Sequence, residues 1–201
     1  MESIFATDRL KELLPKVKSF VESELIPLER EHHSRLPQET YAILDEKREL
    51  VKKAGLWGIH LPKEEGGLGL TLCEFGQLSE YLARAPLYGH YTFNCQAPDI
   101  GNTELLAKFG TPEQKAKYLH PLVKGEIRSC FAMTEPALAG SDPTRLGTTA
   151  VKEGNDYVIN GHKWFTSSEE GATFSIVMAV TNPDAAVHQR ASMILVPLPA
   201  K

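Results

Sequence analysis

Several features that announce a site on their own are scarce or missing from this sequence. Its three cysteines, Cys73, Cys95 and Cys130, are odd in number, widely spaced and set among apolar residues. That favours reduced, buried thiols over a disulfide frame or a thiolate metal site. The seven histidines form no HExxH-type pair and no other ligand spacing, so no metal is expected, and His32-His33 reads as part of an exposed charged stretch. No G-x-G-x-x-G follows a strand pattern and no Walker-type loop occurs, which argues against a Rossmann or P-loop nucleotide site. No apolar run approaches the roughly 20 residues of a spanning helix. The net charge of −4 comes from interspersed acids and bases without a basic stripe, so nucleic acid is not an expected partner. The first residues carry neither the basic start and apolar core of a secretory signal nor the Arg-rich pattern of a transit peptide. An intracellular location is expected, cytoplasmic or, in a eukaryote, mitochondrial or peroxisomal.

What is present divides by period. From residue 8 to about 125 the apolar positions recur at helical spacing, beginning with Leu10, Leu13, Leu14, Val17, Phe20, Val21, Leu25 and Ile26 against a charged face. Pro15 is expected to start or kink the first helix. A second helix is predicted over 38–54. The charged run 45–49 reads as its solvated face, and the glycines of 66–69 as a tight connection between helices. Thr71 with Glu74, and Thr111 with Pro112 and Gln114, are capping boxes, the second opening a helix that Gly125 stops.

Beyond Gly125 the period shortens to two and β-rich runs appear. Asn160-Gly161 reads as the turn of a hairpin flanked by 156–159 and 162–165, with further buried strands at 174–180 and 192–196. Strands without intervening helices predict a small antiparallel barrel or sandwich, incomplete at residue 201, and its open edge near 192–197 would be prone to pairing. The predicted class is α+β, with an all-helical domain over 1–126 and a β domain over 127–201.

The densest chemical signal is the run Phe131-Ala132-Met133-Thr134-Glu135-Pro136-Ala137-Leu138-Ala139-Gly140-Ser141-Asp142, followed by Lys163-Trp164-Phe165-Thr166-Ser167. The first part sets hydroxyls and backbone N–H groups on a loop, and the second adds a flat ring and another hydroxyl. Such a set suits the edge and phosphates of a flavin nucleotide. Each residue also has an ordinary reading. Thr134, Trp164 and Thr166 serve equally in strands, Ser141-Asp142 in a turn or cap, and Glu135 as a bridging or capping carboxylate in preference to a general base.

In this order and spacing the two runs resemble the flavin-contacting signature of the acyl-CoA dehydrogenase family. Leu61-Pro62 with Gly66-Gly67-Leu68-Gly69-Leu70, the segment from Gly110 to Glu126, and Phe93-Asn94-Cys95-Gln96-Ala97-Pro98-Asp99 extend the resemblance over nearly the whole chain, toward the branch of family members ten and eleven. The resemblance implies FAD as cofactor and α,β-dehydrogenation of an acyl-CoA thioester to its trans-2-enoyl product in fatty-acid catabolism. An electron-transfer flavoprotein or oxygen would be the acceptor, and the full-length protein a homo-oligomer. It implies that Phe131, Met133 and Thr134 lie along the isoalloxazine, with Thr134 on its pyrimidine edge. Ser141 would sit near the diphosphate and the CoA side of the acyl cleft, Trp164 against the rings, and Thr166 at N5. No catalytic residue is expected here, because the family's base comes from a C-terminal helical bundle beyond residue 201. One extra residue between Pro136 and Gly140 departs from the commonest pattern of the family. A non-catalytic remnant or binding module, and an oxygen-using acyl-CoA oxidase type, remain alternatives.

Overall fold

The computed structural model describes residues 7–32, 37–140 and 142–200. Packing divides the chain into two compact units, Met1–Ile100 and Gly101–Lys201.

The first unit is helical. Its opening helix runs as α1 (Asp8–Phe20), a widened turn over Val21–Leu25, and α2 (Ile26–His32). Pro15 lies inside α1 and does not start it. The widened turn, where the amide of Ile26 reaches back to the carbonyl of Val21, ends two residues before Pro27. Proline cannot donate to the preceding turn and its ring crowds that carbonyl, so a local π-type register relieves both problems. The same device recurs in the second unit at Lys115–Leu119, two residues before Pro121. Helices α3 (Pro37–Lys53), α4 (Leu72–Leu82) and α5 (Gly89–Thr92) complete the first unit. Leu10, Val17, Val21, Leu25, Val51 and Leu78 bury their side chains in one core, with Phe20 edge-on to Phe93 at 5.5 Å.

Glu74 ties this unit together. As residue N3 of α4 it completes the capping box with Thr71, and it also accepts from Thr7, the N-cap of α1, and from Arg9 at 2.6 Å. Arg9 bonds the carbonyl of Gly69 as well, which pins the glycine connection. Two residues depart from the charge pattern read in sequence. Arg48 is buried, stacked between Trp57 and Tyr91 and donating to the carbonyl of Tyr91, so one member of the 45–49 run is core. His32 is buried too, while His33 lies outside the described residues. An Arg over two aromatic faces keeps its charge while shedding water.

The second unit packs α6 (Asp99–Phe109) from Gly101 onward, α7 (Pro112–Gln114) and α8 (His120–Lys124) with a sheet. The capping box at Thr111 is formed, and Gly125 ends α8 at φ +73, a conformation that favours glycine. Strands β1 (Ser129–Ala132), β2 (Thr149–Glu153), β3 (Asp156–Asn160), β4 (Phe174–Val180) and β5 (Ala191–Pro197) form one mixed sheet. β4 pairs antiparallel with β5 along its whole length, but β1 runs parallel to β4, from Ser129↔Phe174 to Ala132↔Val177. Parallel pairing needs a long crossover, here the whole segment that carries β2 and β3. Leu106, Leu119 and Leu122 cover Phe174 and Ile176, and Tyr118 meets Phe174 at 4.6 Å between centroids. The packing division therefore falls earlier than the change of period at residue 126, because helical residues 101–124 share a core with strands.

The hairpin is not where Asn160-Gly161 suggested. β2 pairs with β3 from Thr149↔Asn160 to Glu153↔Asp156, so the two-residue turn is Gly154-Asn155, with Gly154 at φ +62. Glycine in the first central position is the type II′ pattern. Gly161 is required for another reason: a Cβ there would collide with Thr148. The residues after it, 162–166, belong to no strand. β2 touches β4 at the single rung Thr149↔Val180, leaving between β3 and β5 a groove of about 760 Å³ lined by Tyr157, Val158, Ile159, Ile194, Leu195 and Val196.

Candidate functional site

The signature leaves β1 at Ala132 and continues outside the strands. Its central residues are held by the segment that follows β3. The amide of Trp164 donates to the carbonyl of Thr134 at 3.1 Å. Lys163 places its ammonium 2.8 Å from the carbonyl of Met133 and 2.8 Å from Glu135 Oε1. Three consecutive residues, 133–135, are thus pinned by two others, 163 and 164.

Glu135 is also anchored on its far side. It is 6% exposed and accepts the amides of Gly147 at 2.7 Å and Thr148 at 2.8 Å. Burial raises its pKa, but the hydrogen bonds from Lys163, Thr148 and Gly147 outweigh it and hold the carboxyl at about 2. So strongly stabilised a carboxylate is a poor proton acceptor near neutral pH. The geometry supports the bridging role for Glu135 and not the role of general base.

Around this lock the surface is aromatic and hydroxylated. Trp164 is 43% exposed and Phe165 79% exposed, their ring centroids 4.6 Å apart. Phe165 takes φ +50 and Ser168 φ +66, left-handed backbone that costs a bulky residue energy and that clusters at functional sites. Thr134 and Thr166 are both half-buried. Gly140 folds back so closely on Thr134 that a Cβ would lie 2.7 Å from its methyl group. The two segments together carry two exposed aromatic rings and two half-buried threonines.

Of the residues singled out in sequence, Met133, Thr134 and Trp164 come together here, and Thr166 follows on the same segment. Phe131 lies in β1 opposite Ile176 and packs against the cluster of Leu106, Tyr118 and Phe174. Ser141 lies outside the described residues, so its position stays with the sequence argument; its neighbour Asp142 accepts from the amide and hydroxyl of Thr144 in a local turn. The sequence pattern does not single out Lys163 and Phe165 as site residues. A lysine between Gly161-His162 and Trp164 that must bury its stem carries a hint of an acidic partner, but only the fold shows that the partner is Glu135.

The cysteines divide. Cys95 and Cys130 are buried, burial pushing the thiol of Cys95 up to about 12, whereas Cys73 is exposed near the start of α4 and corrects the expectation of three buried thiols. Ser79 and His90 share a 2.7 Å hydrogen bond in the helical unit, and burial lowers the pKa of His90. Among the described residues no group of three or more His, Cys, Asp or Glu side chains could hold a metal, and no helix is long and apolar enough to cross a membrane.

Residues 7–126 match the family model described as the acyl-CoA dehydrogenase N-terminal domain, and residues 130–201 the one for the middle domain. Acyl-CoA dehydrogenase family member 10 of Mus musculus is 40% identical over 200 residues, covering 94% of this chain and 19% of that protein. Family member 11 of Homo sapiens is 36% identical over 203 residues, covering 96% and 26%. A solved structure from Mycobacterium abscessus, assigned to the acyl-CoA dehydrogenases, matches with a TM-score of 0.87 at 40% identity, covering 97% of this chain and 52% of that one. The chain therefore spans about half of the solved relative and a smaller share of the curated ones.

Proposed function

The chain belongs to the acyl-CoA dehydrogenase family, and from that premise we propose that the junction of 133–135 with 163–166 is an FAD site. In the whole protein this site would serve α,β-dehydrogenation of an acyl-CoA thioester. The observation that carries the reading is the bond from the Trp164 amide to the Thr134 carbonyl. It joins the main chain of a residue with an exposed indole to that of a half-buried threonine, in segments that are not strand.

The residues fit a flavin on their own chemistry. A tricyclic ring needs a flat apolar surface and, at its heteroatom edge, hydroxyls or amides in place. Trp164 supplies the surface, Thr134 the hydroxyl for the pyrimidine edge, Thr166 a second hydroxyl and Met133 an apolar contact. Ser141, by its place in the signature, would serve the diphosphate and the CoA side of the cleft. Bound FAD supplies the capacity to accept a hydride from Cβ of the acyl chain. The task of these residues is to hold that acceptor in one orientation and to exclude water from one of its faces. Glu135 takes no part in moving the α-proton, since Lys163 and two amides occupy its oxygens.

Two measurements test the reading on the intact protein. After incubation with FAD and desalting, its visible spectrum should retain flavin bands, and Trp164→Ala should lose them. Anaerobic addition of acyl-CoA esters of graded length should bleach those bands and identify the chain length preferred. A wild type that stays colourless sinks the proposal, and retained flavin that no acyl-CoA bleaches restricts it to cofactor binding. Comparing an electron-transfer flavoprotein with oxygen as acceptor for the reduced protein separates dehydrogenase from oxidase.

A further inference from the structure

Thr134, the hydroxyl assigned to the flavin edge, is bracketed by an ion pair. The residue before it gives its carbonyl to Lys163 at 2.8 Å, the residue after it gives its carboxylate to the same ammonium at 2.8 Å, and its own carbonyl receives the Trp164 amide. Both charged side chains are nearly enclosed, Glu135 at 6% and Lys163 at 12% exposure. A buried ion pair is weak evidence for stability, since apolar residues of the same volume do as well or better. What apolar residues cannot do is fix a register through four convergent polar contacts and leave two opposite charges cancelled at that spot.

We propose that Glu135 and Lys163 form a charge-cancelling positioning pair, which fixes Thr134 against Trp164 and sets the electrostatic environment of the group bound there. This rests on the flavin reading of the site. Neither residue is catalytic, because each acts through Thr134 and Trp164. Because the pair sets local charge, its two halves are not equivalent. Glu135→Gln leaves an unpaired ammonium, which favours the more electron-rich reduced flavin, and Lys163→Gln leaves an unpaired carboxylate, which disfavours it.

The test uses both single variants and the double variant in the intact protein. Three readouts are followed, the reduction potential of bound flavin, the FAD dissociation constant, and hydrogen exchange of the Trp164 amide in the flavin-free protein. Glu135→Gln should raise the potential, Lys163→Gln should lower it, and the double variant should return it toward wild type. The cycle should show coupling of roughly tenfold or more in FAD dissociation constant. Exchange at Trp164 should accelerate in both single variants. Potentials that move the same way, or not at all, overturn the electrostatic role; unchanged exchange overturns the positioning role. If a single variant fails to fold, Lys163→Arg, expected to keep slow exchange, and Glu135→Asp, expected to lose it, carry the same test. A wild type that holds no FAD but whose Trp164 exchange responds as described overturns the flavin assignment and supports the positioning pair.

Discussion

The helical unit and the sheet unit each bury a glutamate whose pKa is lowered to about 2, and they use it differently. Glu74 joins two helix starts. Arg9 is the largest influence on its pKa, with Thr7 and Thr71 adding hydrogen bonds, and its cation is 37% exposed. Glu135 joins three segments that are not helices or strands, and its cation is enclosed. The first carboxylate finishes secondary structure, so its loss would be felt as weaker caps. The second organises irregular chain where a ligand could reach it, so its loss would be felt as misplaced side chains. A buried charge pair in regular structure and one in a loop are different devices even when their acidity matches.

Breaking the two locks should separate them. Lys163→Met leaves the Glu135 carboxylate buried without its cation and should cost about 3–5 kcal/mol, seen as an earlier urea transition of the sheet unit. Arg9→Met should cost much less, because the Arg9 cation is 37% exposed and water can take its place beside Glu74. Equal losses would erase the distinction. Acid should strike both. Each folded pKa lies below the usual 4.5, so the stabilisation is complete above pH 4.5 and is lost as pH falls toward 2. For Glu135 alone the loss is roughly 3 kcal/mol. Melting temperature followed from pH 5 to pH 2 should fall continuously, and Glu135→Gln should flatten part of that fall.

Smaller effects sharpen the helical side. Thr71→Ala and Thr111→Ala each remove a capping hydroxyl and should cost about 1 kcal/mol, measured by chemical denaturation. Thr71 should be the costlier of the two because its box also receives Arg9. The smallest effect involves no stability at all: a thiol reagent should modify Cys73 at once while Cys95 and Cys130 react only on unfolding, counted by mass spectrometry.

The same contrast explains what could be read in advance. Both capping boxes, the stop at Gly125 and the strand over 174–180 are local signals, written within four to eight residues, and they form as expected. Asn160-Gly161 misled because two constraints that favour glycine look alike in sequence: a turn and a close backbone approach. Gly154-Asn155 makes the turn, and Gly161 makes way for Thr148. Arg48 looks solvated in sequence because its aromatic partners, Trp57 and Tyr91, lie in other segments. The signature itself was legible as chemistry, but its geometry was not. That Lys163 meets Glu135 depends on a 28-residue excursion through β2 and β3, which no local pattern encodes.

The most direct test of the central claim, that Trp164 and Thr134 form the flavin site, is to titrate FAD into the intact wild type and into Trp164→Phe while following tryptophan emission. The account predicts strong quenching in the wild type and far weaker quenching in the variant, whose remaining tryptophan, Trp57, belongs to the helical unit. FAD binding with the same quenching in both proteins would contradict it.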